Sequence, residues 1–239
     1  MLLAILISVQ AIGQEKLYDS LAVKVLDRMA AFIGDLTSCS VLVDTEHDEL
    51  DDDFGTLTLV GSHEVNYSGH NKFSVVTENA DGKSGYWYNG EKLTYFSYAR
   101  NHFGFMQTNG LSSVETIDKV HQDYGVDFPA ADFFYPTFTD DLLATADRVD
   151  FLGREMVEGT SCYKLAFVGP TQQGCIWIND GAYTLPVKFV LSGYADDAST
   201  QRYSASFSGW VINPDLPDEM FNFERPPGAT LLTIVPKTK

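Results

Sequence analysis

Basic residues are scarce in this sequence of 239 residues, which has 16 lysines and arginines against 33 aspartates and glutamates. The formal net charge is therefore −17. Nucleic acid and anionic membrane surfaces are bound by positively charged faces, so we expect neither as a partner. The hydrophobic fraction of 44% is that of an ordinary globular chain, and the length suffices for a sizeable core.

Long hydrophobic runs are also missing. After the first residues, no segment has the roughly 20 apolar residues that a membrane-spanning helix requires. Residues 2–9 form a short apolar run, followed by small Ala11 and Gly13 and by polar Gln14. This pattern is typical of a secretory signal peptide cleaved between Gly13 and Gln14. We therefore expect export, with residues 1–13 as signal peptide and 14–239 as one domain. The alternative is a buried N-terminal helix or strand.

Cysteines are few. The three that occur, Cys39, Cys162 and Cys175, allow at most one internal disulfide. Cys162 and Cys175 fall in neighbouring predicted strands, but the predicted turn at 170–173 does not place them opposite each other. Buried free thiols are the favoured interpretation, with a bridge as the alternative. The spacings match no zinc pattern.

Signatures of catalysis are missing as well. The sequence has no G-x-S-x-G nucleophile elbow, no phosphate-binding loop and no G-x-G-x-x-G motif. His63-Glu64 begins like the two-histidine zinc motif, but Tyr67 stands where the second histidine belongs. We expect no metal, no cofactor and no catalytic residue. With 33 acids available, paired carboxylates are uninformative, so a carboxylate-dependent hydrolase stays as a less favoured alternative.

The acids include a dense run over residues 44–53. A calcium-binding loop needs oxygen ligands at alternating positions and a glycine at its sixth position, where this run has Glu49. We therefore interpret the run as a solvated hairpin loop between two strands.

Hydrophobic periodicity divides the chain into one helix and two sets of strands. Apolar residues recur every fourth position and predict a helix over 16–35. Turn signals such as Asp81-Gly82 and Asn89-Gly90 separate β-rich runs. These runs predict strands at 40–45, 56–67, 72–78, 85–88, 92–98 and 103–108. A second set is predicted at 148–156, 160–168, 174–179, 185–193, 202–212 and 230–236.

A helical insertion at about 112–146 separates the two sets of strands. Ser112 and Glu115 form a capping box, and Gly125 stands where a helix would end. Two short helices are predicted after it, at 129–135 and at 140–146 with Thr139 as N-cap. This order predicts an α+β domain with a strongly curved antiparallel sheet of about eleven strands, because so large a sheet must curl to manage its edges. The helices would fill the concave face.

Aromatic residues supply the candidate ligand site. Their simplest role is to pack the sheet against the helices; the alternative role is to line an apolar cavity for a lipid. The candidate cavity wall consists of Trp87, Phe133, Phe134, Phe138, Trp177 and Trp210.

Several motifs resemble a known family. They include Tyr124-Gly125-Val126-Asp127, Cys162-Tyr163-Lys164-Leu165-Ala166-Phe167, Trp177-Ile178-Asn179-Asp180-Gly181 and Leu185-Pro186-Val187-Lys188. The sequence is similar, over about residues 20–233, to the predicted periplasmic proteins numbered 2092 in the domain-of-unknown-function series. That family is similar to the lipoprotein carriers LolA and LolB.

The resemblance implies a LolA-like half-open barrel wrapped over helices, with an apolar cavity beneath. The export signal, the curved sheet and the aromatic insertion favour a monomeric, non-catalytic periplasmic carrier of a hydrophobic molecule, a lipid or an acylated protein. The alternative is an envelope interaction module whose cavity is filled by its own helices and whose partner is another envelope protein.

Overall fold

The computed structural model describes residues 16–193 and 202–237. The predicted signal peptide at residues 1–13 lies outside these residues. Within them the chain forms a single sheet of thirteen strands in the order β1-β8-β9-β10-β11-β12-β2-β3-β4-β5-β6-β7-β13. The sheet is curved and does not close, which confirms the predicted α+β half-open barrel.

Eleven strands of six to fourteen residues pair antiparallel, in agreement with the predicted number. They are β2 (Ser38–Asp51), β3 (Gly55–Ser68), β4 (Lys72–Asn79), β5 (Gly82–Tyr88), β6 (Lys92–Ser97), β7 (His102–Gln107), β8 (Arg148–Val157), β9 (Thr160–Val168), β10 (Gln172–Asn179), β11 (Pro186–Gly193) and β12 (Arg202–Ile212). The two-residue strands β1 (Leu17–Tyr18) and β13 (Thr230–Leu231) pair parallel with β8 and β7 and cover the two sheet edges.

Helix α1 (Ser20–Gly34) lies against the sheet through Ala22, Val25, Leu26, Met29 and Ile33, all of which are buried. The predicted start at residue 16 is wrong, because the preceding residues form β1. Asp19 then caps the helix by accepting hydrogen bonds from the N–H groups of the next turn.

Helix α2 (Ser113–Tyr124) begins and ends as its sequence predicts. The Ser112 hydroxyl accepts from the Glu115 N–H at 3.2 Å, and the Glu115 carboxylate accepts from the Ser112 N–H at 2.8 Å. Gly125 then adopts a left-handed conformation with φ of 65°, which a residue without a Cβ reaches at no steric cost.

Two further local predictions are wrong. Helix α3 (Phe138–Thr145) begins before Thr139, so Thr139 is no cap but a buried residue in the first turn. The acidic run is not a loop, because β2 continues as far as Asp51 and only residues 52–54 form the turn into β3. The exposed side chains of a long strand can be as acidic as those of a loop. Composition alone therefore did not distinguish the two.

The three cysteines are free. Strand register places Cys162 opposite Asn179 and Cys175 opposite Ala166, which confirms that these two cysteines are not paired across the β9–β10 hairpin. Burial raises the pKa of the Cys39 thiol to about 12 and that of Cys162 to about 11, so both stay protonated at neutral pH.

Candidate functional site

The concave face of the sheet is occupied by helices and by aromatic side chains of the insertion. Phe133, in a 3₁₀ turn at Ala131–Phe134, is 2% exposed and contacts Phe207 and Phe189 of the sheet at ring-centroid distances of 5.1 and 5.5 Å. A small cavity of about 40 Å³ is left between α2, this turn and strands β3 and β4. That volume is far below the roughly 300 Å³ of a small-molecule pocket.

The larger space is an open groove of about 630 Å³ between the insertion and strands β2, β3, β11 and β12. We call it the main groove. Its apolar surface comes from both layers: Ile117, Val126, Phe128, Phe133, Phe189 and Leu191. A volume of this size lies within the range of pockets that hold small molecules.

A second groove of about 320 Å³ adjoins the main groove, and the two share Asp132, Tyr135, Phe189 and Leu191. Phe138 and Leu142 of α3 supply further apolar surface to the second groove. The two grooves therefore form one elongated apolar surface beneath the insertion.

Carboxylates lie along this surface. Asp118, Asp127 and Asp132 line the main groove and Asp141 lines the second, whereas none of the described lining residues is lysine or arginine. The Tyr135 hydroxyl donates to Asp118 at 2.7 Å, and His121 Nδ1 lies 2.6 Å from an oxygen of Asp127. The groove is thus apolar along its floor and negatively charged at its rim.

Asp132 is the most perturbed of these acids. Burial raises the pKa of its carboxyl, and the charges of Asp127 and Asp141 raise it further. Across the groove, burial raises the pKa of the Tyr203 hydroxyl to about 12. Burial is the first cause of both shifts, since both side chains lie between the insertion and the sheet.

His63 on β3 also lines the main groove, and it is held on both sides. Its ring nitrogens lie 2.9 Å from the hydroxyl oxygens of Thr45 and Thr77. Burial lowers the pKa of His63 to about 4, against the weaker opposing effect of Asp44. The imidazole is therefore neutral at pH 7 and adds no positive charge to the groove.

The structure brings four of the six candidate aromatics to the concave side. Phe133 lines the main groove, Phe138 the second groove and Phe134 the small cavity. The Trp210 ring lies 6.3 Å from that of Phe134, and its indole N–H donates to the carbonyl oxygen of Pro186 at 3.2 Å. A ligand-binding role stays a prediction for all four.

Trp87 and Trp177 lie on the opposite face. Tyr86 and Tyr88 on either side of Trp87 pack into the core, so Trp87 points outward and contacts Phe223 at 5.5 Å. Trp177 also points outward, because Ile176 and Ile178 on either side of it are buried. Its indole N–H donates to Glu155 at 3.0 Å. Neither side chain lines the described grooves, and a ligand-binding role for them stays a prediction that no observation here supports.

Sequence reasoning missed the groove residues on the strands, among them Phe189, Leu191 and Tyr203. Phe189 and Leu191 alternate on β11, and Tyr203 on β12 lies opposite Leu191 in the sheet register. The sequence shows the alternation along each strand. Which set of side chains faces the concave side of the sheet depends on pairing between distant strands.

Within residues 16–193 and 202–237, no group of three histidine, cysteine or acidic side chains is placed to hold a metal ion. None of the helices in that part of the chain has the length and apolar character to cross a membrane.

Among curated proteins, none matches the chain. LprF from Mycobacterium bovis is 12% identical, covering 85% of this chain and 99% of its own, with a TM-score of 0.46. The LolA superfamily protein NE2245 from Nitrosomonas europaea is 14% identical, covering 84% and 97%, with a TM-score of 0.39. The Pseudomonas aeruginosa MucA/MucB complex gives 11% identity, covering 86% and 62%, with a TM-score of 0.39.

The match to a family is more direct. The model of a family described as predicted periplasmic protein (DUF2092) covers residues 22–235. These limits include all but the first two residues of α1, the insertion and strands β2 to β13. The motifs that carried the resemblance lie at ends and interiors of helices and strands. Gly125 ends α2, and Trp177 lies within β10. The chain therefore belongs to this family of predicted periplasmic proteins, as its sequence motifs had indicated.

Proposed function

We propose that this protein binds and carries a hydrophobic molecule in the periplasm, a lipid or the acyl chain of a lipoprotein, without catalysis. The observation that carries the proposal is the main groove of about 630 Å³, with apolar side chains from the insertion and from the sheet. Two layers that face each other across an open apolar surface leave a place for a chain-like ligand.

The energetics suit a carrier. Each buried methylene contributes about 0.8 kcal/mol, so roughly ten methylenes give about 8 kcal/mol before ordering costs. Before those costs, this free energy corresponds to a dissociation constant near 1 μM, and the ordering costs weaken binding from that limit, so release stays possible. The acidic rim favours a ligand whose end group is uncharged or cationic, because an anionic group would meet Asp118, Asp127 and Asp132.

The competing hypothesis is an envelope interaction module with a cavity filled by its own side chains. Phe133 supports it in part, because its buried ring occupies the centre of the concave face. The two hypotheses differ in the groove, which is open in a carrier and covered by a partner protein in a module. Ligand binding by the isolated protein therefore separates them.

Native mass spectrometry of protein purified from a bacterial periplasm is the first test. A stoichiometric adduct that organic extraction releases as lipid would support the carrier. A fluorescent acyl chain on an uncharged headgroup then measures affinity, with the corresponding fatty acid as a probe of the acidic rim. We expect the uncharged probe to bind more tightly at pH 7 than the anionic one.

The matched variants are Leu191→Asp in the groove and Leu152→Asp on exposed β8, where Leu152 is 55% exposed. A carboxylate at 191 would be buried by the ligand without a partner, so we expect at least roughly tenfold weaker binding. Leu152→Asp should bind as the unmodified protein does. Equal affinity of both folded variants, or no binding of either probe by the unmodified protein, would contradict the proposal that the main groove binds the ligand.

A carboxylate-dependent hydrolase is the second candidate, and one observation favours it. Asp132 combines a raised pKa with neighbouring acids in a groove, as paired catalytic carboxylates do. Chromogenic esters and glycosides test it, with Asp132→Asn as the variant. Turnover by the unmodified protein that Asp132→Asn abolishes would support hydrolase activity. Absence of turnover would contradict this second candidate.

We further propose that residues 1–13 are removed on export, because a short apolar run precedes Ala11 and Gly13. N-terminal sequencing of the periplasmic protein tests this proposal. A mature chain that begins at Gln14 would support it, and retention of Met1 would contradict it.

A further inference from the structure

The hairpin of β2 and β3 extends beyond the core of the protein. Thr45 on β2 and His63 on β3 are buried, at 7% and 8% exposure. Beyond them, residues 46–60 are exposed or half-buried on both faces of the hairpin. We call residues 46–60 the arm. From the pair His47–Leu59 to the turn it is about 15 Å long at 3.4 Å per residue.

One edge of the arm is free. Strand β3 pairs with β2 along its whole length, from Gly55 to Ser68, but β4 pairs with β3 only from Gly61 onward. Residues 55–60 are therefore paired on one edge alone within the part of the chain that the structure describes. Their backbone N–H and C=O groups form a template for another strand. An isolated two-stranded hairpin is only marginally stable in water, so a third strand would stabilise the arm.

A surface groove marks the place where an added strand would begin. It measures about 410 Å³ and lies where β4 ends, between Asn79 of β4 and Val60 and Gly61 of β3. A strand on the free edge would run through this groove in line with β4. The segment that it would pair with, Gly-Thr-Leu-Thr-Leu-Val, is rich in residues that favour β structure.

The two faces of the arm differ in chemistry. On one face, register places Asp44, Glu46 and Asp48 beside Ser62, Val60 and Thr58, and Glu78 of β4 lies beside Ser62 on the other side. Glu46 is paired with Arg202 at 3.1 Å, and no lysine or arginine occurs within the arm itself. On the opposite face, Leu57 and Leu59 of β3 lie beside Glu49 and His47 of β2, so that face is apolar only along its β3 edge.

We propose that the free edge of β3 at residues 55–60 receives an extended segment of another protein, with lysine or arginine alternating with apolar residues. The backbone of the segment pairs with β3 and gives affinity. Its apolar side chains lie beside Leu57 and Leu59, and its basic side chains lie on the other face, where they reach across β3 toward Glu46 and Asp48 of β2. Charge complementarity thus sets the class of partner.

A second copy of this chain is the less suitable occupant. Pairing two arms edge to edge would place two strongly acidic hairpins in one sheet, and the repulsion between the acids of the two β2 strands opposes this pairing. The same acids therefore protect the edge from self-association while they attract a basic strand. An anionic membrane is disfavoured for the same reason.

The probe is a synthetic peptide of eight residues with alternating valine and lysine, tested against a peptide of alternating valine and glutamate. We expect the basic peptide to bind, to slow amide hydrogen exchange at residues 55–60, and to bind more weakly as salt is raised. The acidic peptide should leave the exchange unchanged.

Two double variants remove the same charge from different places. Asp44→Asn with Asp48→Asn neutralises the acidic face, and Asp52→Asn with Asp53→Asn neutralises the turn. We expect roughly tenfold weaker binding for the first pair and at most about a twofold change for the second. Equal losses would show that general attraction, not strand addition, holds the peptide, and would overturn the proposal.

Three further results would also overturn it. The first is equal protection by both peptides, and the second is no protection by the basic peptide at about 1 mM. The third is protection of residues 55–60 without peptide, either when protein concentration is raised or when anionic vesicles are added. That result would assign the edge to a second copy or to a membrane. The proposal does not depend on ligand binding in the main groove.

Discussion

The ring of Phe133 stacks on the ring of Phe138, with 4.7 Å between the centroids and 24° between the planes. This contact joins the 3₁₀ turn to α3, and the edge contacts of Phe133 with Phe189 and Phe207 join both to the sheet. Phe133 thus connects three elements of the fold at a single buried ring. Its contribution to stability should exceed any direct contribution to binding.

Replacing Phe133 by alanine should therefore lower the free energy of unfolding by about 3–5 kcal/mol, because a buried ring is lost and a cavity is left. Phe133→Leu should cost less, since it retains most of the apolar volume. Urea denaturation at pH 7 measures both. The control is Phe105→Ala, at a ring that is 42% exposed, where a loss below about 1 kcal/mol is expected. Equal losses at both positions would contradict the role given to Phe133.

Stability should fall as the pH is lowered through the range from 6.5 to about 4. The pKa of His63 is lowered to about 4 in the folded state, from 6.5 when exposed. In this range the unfolded chain binds a proton that the folded chain does not, so acid favours unfolding. Urea midpoints across this range measure the effect, and His63→Gln should show a flatter dependence than the unmodified protein. An unchanged slope would indicate that other groups determine the acid sensitivity.

Adjacent serines at the start of α2 should respond in opposite ways. Ser112→Ala removes the cap of the helix and should cost about 1 kcal/mol. The Ser113 hydroxyl is buried without a hydrogen-bond partner among the described residues, so Ser113→Ala should leave stability unchanged or raise it. Thermal unfolding of the two variants gives the comparison. A loss at Ser113 equal to that at Ser112 would mean that the Ser113 hydroxyl has a partner.

Gly85 should not accept a side chain. The Trp87 ring lies across Gly85 on the outer face, so a Cβ at residue 85 would overlap the indole. Gly85→Ala should move Trp87 away from Phe223 and cost about 1–3 kcal/mol. Indole fluorescence in a Trp177→Phe, Trp210→Phe background reports the movement. Gly34→Ala is the control, because no atom lies within 4 Å of its added Cβ.

The sequence predicts those parts of the fold that depend on local signals. The capping box at Ser112 and Glu115 located the start of α2, and Gly125 located its end. β-rich runs between turn signals located the eleven long strands, although β2 continues six residues past its predicted end at residue 45. Thr139 misled because a threonine before an acidic pair looks like a cap, whereas packing of Phe138 on Phe133 places the helix start earlier.

The candidate site was less predictable, because it depends on which strands become neighbours. Trp87 and Tyr86 are adjacent in sequence yet face opposite sides of the sheet, and no local pattern identifies the concave side. The groove floor needs β11 beside β12 so that Leu191 and Tyr203 meet. Such pairing follows from the register of the whole sheet and not from the residues themselves.

The pairing of β12 with β2 also determines the order in which the protein can be built. Arg202 on β12 and Glu46 on β2 are neighbours in the sheet although 156 positions separate them in the chain. When a chain is synthesised from its N-terminus, β2 has no partner on this side until nearly all of the sequence has been made. Closing so long a loop is slow, and an unpaired strand edge is prone to aggregation in the meantime. Productive folding of this protein should therefore depend on how well the nascent chain is shielded until β12 is complete.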